Sequence, residues 1–164
     1  MKLWQLRLFL SGGVFVLLSA CGSAPQYADV SGPSIPYTNI PELKEGVLKL
    51  SHQQLGTRYR YGGSNPGDGF DCSGLVYYVH ARSGLNIPRT TRHQFRASSP
   101  VSMGSISPGD LLFFRINGNK PSHVGIYTGQ GRFIHAPSSG KVVSQARLTN
   151  PYWQSHLIGA RRFL

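Results

Sequence analysis

Acidic residues are scarce in this sequence of 164 residues, which has six Asp and Glu against seventeen Lys and Arg and a formal net charge of +11. Charged residues of both signs make up 14% of the chain and hydrophobic residues 40%, a composition that excludes a disordered chain. The 20 Gly and 11 Pro argue against a helical bundle, and the length is that of one domain. A loop-rich α+β or β domain remains, with a positive charge that attracts an anionic partner.

Long apolar runs are also missing. The longest, residues 8–18, is broken by a Ser-Gly-Gly segment and is too short to span a membrane, which needs about 20 apolar residues. Lys2 and Arg7 precede this run and small residues follow it, as in a secretory signal peptide. The segment Leu-Ser-Ala-Cys that ends at Cys21 resembles the lipobox of bacterial lipoproteins. This resemblance implies cleavage before Cys21 and acylation of its thiol and amine.

The residues after Cys21 contain four prolines among Ser, Gly and Ala, without helical or strand periodicity, which indicates an extended tether. We therefore predict a lipoprotein signal peptide over residues 1–20, a lipidated Cys21 with a Pro-rich tether over 21–41, and a folded domain over 42–164. The lipid on Cys21 would anchor the protein to a membrane.

The residue that follows the lipidated cysteine, Gly22, resembles that of lipoproteins sorted to the outer membrane. The expected location is therefore the bacterial outer membrane, with the domain facing the periplasm. An exported protein does not meet genomic DNA in normal function, so nucleic acid is not an expected partner. The free carboxylates of the cell wall suit the basic surface better.

Apolar residues recur with helical spacing over residues 42–55 and again from Cys72 to Val79, which predicts two amphipathic helices. Gly56 and Gly84 occupy the positions of helix stops. Asp71 lies directly before the second helix, and the carboxylate of an aspartate at this position caps backbone N–H groups.

Thr91 and Gln94 have the spacing of a capping box and predict a short third helix. Beyond Pro100 the pattern changes to short segments rich in β-branched or aromatic residues, separated by turn residues. The predicted strands are 111–115, 123–128, 131–136, 142–145 and 157–163. Helices followed by strands predict an α+β fold, with N-terminal helices packed on a small antiparallel β-sheet.

Cysteine is scarce too, since the chain has only Cys21 and Cys72. If Cys21 carries lipid, Cys72 has no disulfide partner within the chain and is either buried and inert or retained for its reactivity. The first turn of a helix offers a thiol the positive end of the helix dipole, which favours the thiolate. The same turn offers backbone N–H groups to an oxyanion. The small and polar neighbours of Cys72 fit poorly in a hydrophobic core.

Six histidines are candidates for a general base. His52 and His80 fall on predicted helices amid polar neighbours, where a solvated or capping role is expected. His123 and His135 stand apart because each lies in an apolar predicted strand, where a buried imidazole needs a partner.

The turn between these two strands sets a geometric condition. A hairpin loop with an odd number of residues places His123 and His135 on one face of the sheet, and an even number places them on opposite faces. With the loop Thr128-Gly129-Gln130 they would be directly opposed. The pattern favours Cys72 as nucleophile, His123 as base and acid, and His135 as the residue that orients His123. Two core histidines bonded to backbone are one alternative. Zinc ligation with Cys72 is another, although the spacing fits no compact metal motif.

Five blocks of sequence carry a family resemblance. They are residues 56–63 (GTRYRYGG), 70–76 (FDCSGLV), 108–114 (PGDLLFF), 122–127 (SHVGIY) and 133–136 (FIHA). In order and spacing they resemble the NlpC-type papain-like cysteine peptidases. Residues 87–90 (IPRT) and 151–153 (PYW) are similar to the lipoprotein members of that family, the murein endopeptidases of Gram-negative envelopes.

The resemblance implies a papain-like fold over residues 42–164, with the nucleophilic cysteine at a helix N-terminus. It implies hydrolysis of amide bonds in the stem peptides of peptidoglycan, through an acyl-enzyme on Cys72, for cell wall growth or remodelling. Cys72, His123 and His135 match the nucleophile, base and orienting positions of the family, and we expect no metal and no cofactor. The resemblance does not specify which bond is cleaved. The two candidates are the bond from D-glutamate to diaminopimelate and the D,D cross-link between stems.

Three further residues match family positions near the nucleophile. Tyr59 matches a tyrosine that supports the oxyanion or the substrate, while the residues alone fit a core position equally well. Asp71 and Ser73 match positions that line the pocket for the amino-terminal part of the stem, and Asp71 is also the expected helix cap. Two alternatives to the endopeptidase are a non-catalytic wall-binding scaffold lipoprotein and an amidase or acyltransferase on the same fold.

Overall fold

The computed structural model describes residues 40–116 and 118–163. The predicted signal peptide, Cys21 and the tether as far as residue 39 lie outside the described residues. Ile40 and Pro41, which we assigned to the tether, instead begin helix α1 (Ile40–Gln53). Pro41 is tolerated there because a helix leaves the first N–H groups without intrahelical acceptors. Over the described ranges, every helix is too short or too polar to cross a bilayer.

Four α-helices and eight strands form the described part of the chain. The helices are α1 (Ile40–Gln53), α2 (Cys72–Arg82), α3 (Thr91–Ala97) and α4 (Pro151–His156). The strands are β1 (Ser64–Asn65), β2 (Gly69–Phe70), β3 (Ser99–Val101), β4 (Leu111–Phe114), β5 (His123–Gly129), β6 (Arg132–His135), β7 (Ser144–Arg147) and β8 (Leu157–Arg162). Six of them form an antiparallel sheet in the order β3-β8-β4-β5-β6-β7, and β1 pairs with β2. The predicted α+β class is confirmed.

The two faces of the large sheet are packed differently. Helices α1 and α2 cover one face, where apolar side chains such as Val76, Phe113 and Ile126 form a buried cluster. The other face carries a more aromatic cluster that includes Phe114 and Phe133. Burial of each such side chain stabilises the fold by about 1.5–3 kcal/mol, so both faces contribute.

Both ends of α2 follow the sequence prediction. Asp71 is the N-cap, and its carboxylate accepts a hydrogen bond from the N–H of Gly74 at 2.6 Å. Gly84 has φ +87°, and the N–H groups of Gly84 and Leu85 donate to the carbonyls of Ala81 and His80 at 3.0 and 2.9 Å. These two bonds form a Schellman motif, which needs a residue that adopts positive φ without strain.

The solvated role expected for His80 is wrong. The side chain is 2% exposed, its Nδ1 lies 2.8 Å from the carbonyl of Val76, and its ring contacts Phe163 edge-on. Burial lowers the pKa of His80 to about 4, against a weaker opposing effect of the bond to Val76. Phe163, directly after β8, covers this end of α2, and the sequence of the helix alone does not reveal that contact.

The capping box predicted for α3 is also wrong. Thr90, not Thr91, is the N-cap, and its side chain makes no capping bond. The amide of Gln94 donates to the carbonyls of Ser73 and Pro88 at 3.0 and 2.8 Å. A buried amide is satisfied better by two carbonyls of the neighbouring segments than by an exposed helix end. Gln94 therefore ties α3 to the first turn of α2.

Most predicted strands lie within one or two residues of the observed ones, but two kinds of difference remain. Strand β7 begins at Ser144 rather than Val142, because Val142 forms an isolated bridge with Arg58. The strands β1, β2 and β3 are two or three residues long, too short to show a period. Helix α4 was missed although Asn150 caps it and Pro151 opens it, which is a recognisable helix start.

Candidate active site

A cleft opens where the N-terminus of α2 meets α3 and α4. The loop that precedes β5 and the loop that follows β6 also line it. Five of the residues predicted for the site line it, namely Tyr59, Asp71, Cys72, Ser73 and His123. The sixth, His135, lies directly behind His123. The structure therefore brings together all six residues, which come from four separate segments of the chain.

Cys72 lies at the first position of α2, is partly exposed and forms no disulfide. Its Sγ is 3.6 Å from Oγ1 of Thr91, and backbone groups of Ser73 and Val124 also hydrogen-bond the sulfur. Val124 directly follows His123 in β5, so the thiol lies against the strand that carries the candidate base. Thr91 has no place in the sequence prediction beyond its wrong capping role.

The pKa of the Cys72 thiol differs from the sequence expectation. Burial raises this pKa and the Asp71 carboxylate raises it further, while the hydrogen bonds from Thr91, Val124 and Ser73 lower it. The helix N-terminus was expected to favour the thiolate, but desolvation penalises a buried anion more strongly. The raised pKa keeps Cys72 a neutral thiol near neutral pH.

His123 and His135 face each other across the β5-β6 hairpin. Nε2 of His123 lies 2.9 Å from Nδ1 of His135, and the rings meet edge-to-face with centroids 5.1 Å apart. The side chains are 4% and 3% exposed. Because Nε2 of His123 bonds His135, Nδ1 is the nitrogen left to take a proton from the cleft.

A bulge, not an odd loop, places the two imidazoles on one face. The turn residues are Gln130 and Gly131, with φ 52° and 68°, so the loop has an even number of residues. The register shifts between Tyr127 and Gly129, and this extra residue in β5 restores the parity that the loop loses. The three-residue loop that we considered is therefore wrong, although the two imidazoles still share one face of the sheet.

The two histidines are diagonal neighbours rather than directly opposed. Tyr127 pairs with Phe133 and Ile126 with Ile134, so continuing this register puts Gly125 opposite His135. A Cβ at Gly125 would lie 2.6 Å from the ring of Phe133, a separation that real contacts do not allow. The absence of a side chain at Gly125 leaves room for the ring of Phe133, which in turn packs on His135 with ring centroids 5.1 Å apart.

Both imidazoles are held neutral. Burial lowers the pKa of His123, and the neighbouring His135 lowers it further. Burial also lowers the pKa of His135, with Lys141 as the second cause. A neutral His123 has a lone pair with which to accept a proton, as a general base requires.

Trp153 packs directly on the imidazole pair. Its ring stacks on His123, with ring centroids 5.6 Å apart and an interplanar angle of 26°. It meets His135 edge-on, with ring centroids 4.8 Å apart. Phe114 and Phe133 contact the indole from below, at 5.0 and 5.1 Å. This aromatic cover limits the access of water to the bond between the histidines. Sequence reasoning noted the segment 151–153 but assigned no role to Trp153.

Asp71 is the centre of a hydrogen-bond network. Besides the bond from Gly74, its carboxylate accepts bonds from the N–H of Gly62 at 3.0 Å and the hydroxyl of Ser73 at 3.2 Å. Arg89 donates two more, at 3.0 and 2.9 Å. A carboxylate offers about four lone-pair sites, so five bonds leave little capacity for a substrate. The helix-cap alternative for Asp71 fits this geometry better than direct contact with the stem peptide.

Arg89 lies in the segment 87–90 that resembles the lipoprotein members of the family, but the sequence analysis assigned it no role. It bridges Asp71, the hydroxyl of Ser73 at 3.1 Å and the carbonyl of Gly63 at 3.0 Å. A Cβ at Gly74 would lie 2.0 Å from that carbonyl oxygen, so the loop rests directly on the first turn of α2. Arg89 thereby fixes the backbone that carries Cys72.

Tyr59 lies between the cleft and the core. It lines the cleft, and its side chain also packs against the cluster under α2, so the functional and core alternatives both fit its position. Burial raises the pKa of Tyr59, with the nearby Cys72, Asp71 and Tyr61 as further causes. Its hydroxyl is therefore a neutral donor close to the thiol.

The metal alternative is not supported by the arrangement of side chains. Over residues 40–116 and 118–163, no group of three or more His, Cys, Asp and Glu side chains has the arrangement of a metal site. The bond between His123 and His135 occupies one ring nitrogen of each imidazole. The two histidines are buried, as the core alternative supposed, but they bond to each other rather than to backbone.

Comparison with known proteins gives the same family that the sequence blocks resemble. The model of the NlpC/P60 family matches residues 56–162. Murein DD-endopeptidase MepH of Escherichia coli is 44% identical over 116 residues, covering 68% of this chain and 43% of that protein. Bifunctional muramidase/DL-endopeptidase CwlT of Bacillus subtilis is 38% identical over 129 residues, covering 77% and 39%.

A crystal structure from Staphylococcus aureus, described as similar to lipoprotein and of the NLP/P60 family, has a TM-score of 0.68 and 35% identity. That match covers 80% of this chain and 44% of the other. The chain thus spans less than half the length of the two relatives named above.

Proposed function

The chain belongs to the NlpC/P60 family, and from this premise we propose that it is a cysteine endopeptidase that hydrolyses amide bonds in the stem peptides of peptidoglycan. The observation that carries the proposal is the placement of Cys72 and His123 in one cleft, with His135 bonded behind His123. The relatives MepH and CwlT are named for endopeptidase activity, which supports the same reaction.

The reaction begins with a neutral Cys72 thiol and a neutral His123 imidazole, the forms that burial favours. Nδ1 of His123 takes the thiol proton of Cys72 as the sulfur attacks the carbonyl carbon of the scissile amide. The first-turn N–H of Cys72 and the hydroxyl of Tyr59 are the candidate donors to the oxyanion, since the first N–H groups of a helix lack intrahelical acceptors. Proton transfer during attack avoids a buried thiolate in the resting cleft.

The tetrahedral intermediate then breaks down. His123 returns the proton to the leaving amine, the C–N bond breaks, and the acyl group remains on Cys72 as a thioester. Water, deprotonated by His123, attacks the thioester and releases the new carboxyl group and the free thiol. His135 keeps the ring of His123 oriented through both steps, and Trp153 keeps water from the bond between them.

Digestion of purified muropeptides, followed by mass analysis of the products, tests the proposal. We expect the chain to release fragments with new amino termini and the Cys72→Ala variant to release none. Binding of the chain to intact sacculi without new amino termini would support the scaffold alternative instead. Product masses that fit another amide, or transfer to an acceptor, would indicate an amidase or acyltransferase.

The same products identify the bond. MepH is named a DD-endopeptidase and CwlT a DL-endopeptidase, so both the D,D cross-link and a D,L bond are candidates. Cleavage of cross-linked dimers to monomers indicates the first, and shortening of monomeric stems indicates the second.

We also propose that the protein is a lipoprotein of the outer membrane that faces the periplasm, with a signal peptide over residues 1–20 and a lipid on Cys21. The sequence around Cys21 and the basic start of the chain support this, as does the S. aureus relative described as similar to lipoprotein. Labelling with radioactive palmitate should mark the chain but not a Cys21→Ser variant, and membrane fractionation should recover the label with the outer membrane. A chain that is unlabelled would contradict the proposal.

A further inference from the structure

The cleft is lined by five cationic side chains and one carboxylate. The carboxylate, Asp71, is neutralised by the two bonds from Arg89. The other cationic residues, all exposed, are Arg92, Arg96, Lys120 and Lys141. In the part of the chain that the structure describes, these four have no carboxylate partner, and they border the same cleft as Cys72.

The sequence offers these cations no counter-charge nearby. Between residues 72 and 164 the only acidic residue is Asp110. It is 0% exposed and its two oxygens accept bonds from Arg162 at 2.6 and 2.7 Å, at the end of the sheet outside the cleft. An anion that enters the cleft therefore meets an excess of positive charge that the protein itself does not compensate.

Two of the four cations are arranged against the preference of a free helix. Arg92 and Arg96 stand four residues apart on α3, with Arg92 in the first turn, where the dipole opposes a cation, and Arg96 in the last, where it does not. Like charges at this spacing repel, and a positive charge near a helix N-terminus opposes the helix dipole. An anion bound to both side chains would offset both penalties, and a carboxylate fits the paired donors of arginine.

We propose that Arg92 and Arg96 bind a free carboxylate of the stem peptide beside the scissile amide, with Lys120 and Lys141 supplying weaker attraction at the rim. The inference rests on the proposed function, because it assigns the stem peptide as the anion. It makes the chain selective for stems whose carboxyl groups are free over stems in which they are amidated. An amide keeps the shape of the group but loses its charge.

The test compares a stem peptide with free carboxyl groups against otherwise identical peptides in which each carboxyl is amidated in turn. We expect one amidation to lower kcat/KM by about tenfold, the effect of losing one charge-assisted hydrogen-bond pair at an exposed site. The double variant Arg92→Gln/Arg96→Gln should lose activity on the free peptide by a similar factor and should no longer distinguish the two peptides. A double variant with lysines should recover part of the difference.

A matched control removes the same charge elsewhere. Lys49 on α1 and Arg147 on β7 are exposed and lie outside the cleft. The variant Lys49→Gln/Arg147→Gln should keep the full preference for the free peptide. If it loses the preference as well, net charge rather than Arg92 and Arg96 sets it, and the inference is overturned. Equal kcat/KM of the unmodified chain on all the peptides overturns it too.

Binding separates this inference from the proposed hydrolysis. The Cys72→Ala variant, titrated by calorimetry with the free and amidated peptides, should bind the free peptide about tenfold more tightly. That preference can appear even if the unmodified chain cleaves no peptide, in which case only the endopeptidase proposal fails. Equal affinity for all the peptides contradicts the carboxylate site whether or not cleavage occurs.

Discussion

Each end of α2 holds a titratable side chain that is at least partly desolvated, yet only the N-terminal end opens on a cleft. At the C-terminal end His80 bonds a carbonyl of its own helix, and its ring packs on Phe163. At the N-terminal end Cys72 meets a cleft, and its neighbours come from α3 and β5. Burial shifts the pKa of both groups against their charged forms. Burial alone is therefore a poor indicator of function, whereas access to a cleft together with partners from other elements is a good one.

The strongest test of this comparison is the replacement of the reactive group at each end of α2. We expect Cys72→Ala to lower muropeptide cleavage by at least about 10³-fold because no other nucleophile is present in the proposed reaction. Its unfolding midpoint should stay close to that of the unmodified chain. His80→Gln should keep the activity per folded molecule, since His80 does not reach the cleft. Full activity of Cys72→Ala would remove the mechanism.

The next test separates the two histidines that serve the N-terminal end. His123→Ala should lower kcat by about 10²–10⁴-fold, the range for loss of a general acid and base. His135→Ala should lower it less, since His135 acts through the orientation of His123, and His135→Asn should recover part of the loss. Steady-state kinetics on one stem peptide measures all three variants. Equal losses for the two alanine variants would mean that the imidazoles act as a single unit.

The bonds of Asp71 predict that its substitution lowers the stability of the fold. The family resemblance instead implied that Asp71 contacts the substrate. Asp71→Ala removes a helix cap and leaves Arg89 without its partner, so we expect the free energy of unfolding to fall by about 3 kcal/mol. Urea denaturation measures the loss. A double-mutant cycle of Asp71→Ala and Arg89→Ala should show that their effects on the free energy of unfolding are strongly coupled. The second substitution removes the group that the first one leaves unpaired. Additive losses would contradict the network.

At the other end of α2, His80 should make stability depend on pH. Its pKa is about 4 in the folded chain and 6.5 when exposed, so the unfolded chain binds the proton more readily. The contribution of His80 is complete above pH 6.5 and is lost as the pH falls towards 4, by about 3 kcal/mol at most. His80→Gln should lack this part of the acid sensitivity in denaturation curves between pH 4 and 7. Identical pH dependence in both proteins would contradict it.

The smallest expected effect concerns Trp153, which packs on the imidazoles of His123 and His135. Trp153→Phe keeps an aromatic ring but exposes the edge of His123, so we expect kcat/KM to fall by a few-fold, about 1 kcal/mol. Water at the imidazole should raise the pKa of His123, so the acidic limb of the pH profile should move to higher pH. The variant Tyr152→Phe, at an exposed ring beside Trp153, is the matched control. A drop in activity without a shift of the acidic limb would mean that Trp153 acts only through packing.

Local patterns predicted α2 well and its surroundings less well. The apolar spacing, the Asp71 cap and the Gly84 stop act within a few residues of one another, so they can be identified in the sequence and recur in the structure. The role of Arg89 was not predicted because its partner is 18 residues away, and a single arginine in a loop has no periodicity. The role of Gln94 was mistaken for the same reason, since its partners lie in other segments.

The sequence by itself determined the α+β class, the place of a cysteine at the start of a helix, and the presence of two histidines in apolar strands. Each of these depends on spacing within one element, which short-range sterics and hydrogen bonding impose. Only the tertiary structure decided that the imidazoles meet, because a one-residue bulge in β5 reverses the parity of the turn. It also decided the charge state of the Cys72 thiol, since desolvation depends on what the rest of the chain packs around the sulfur.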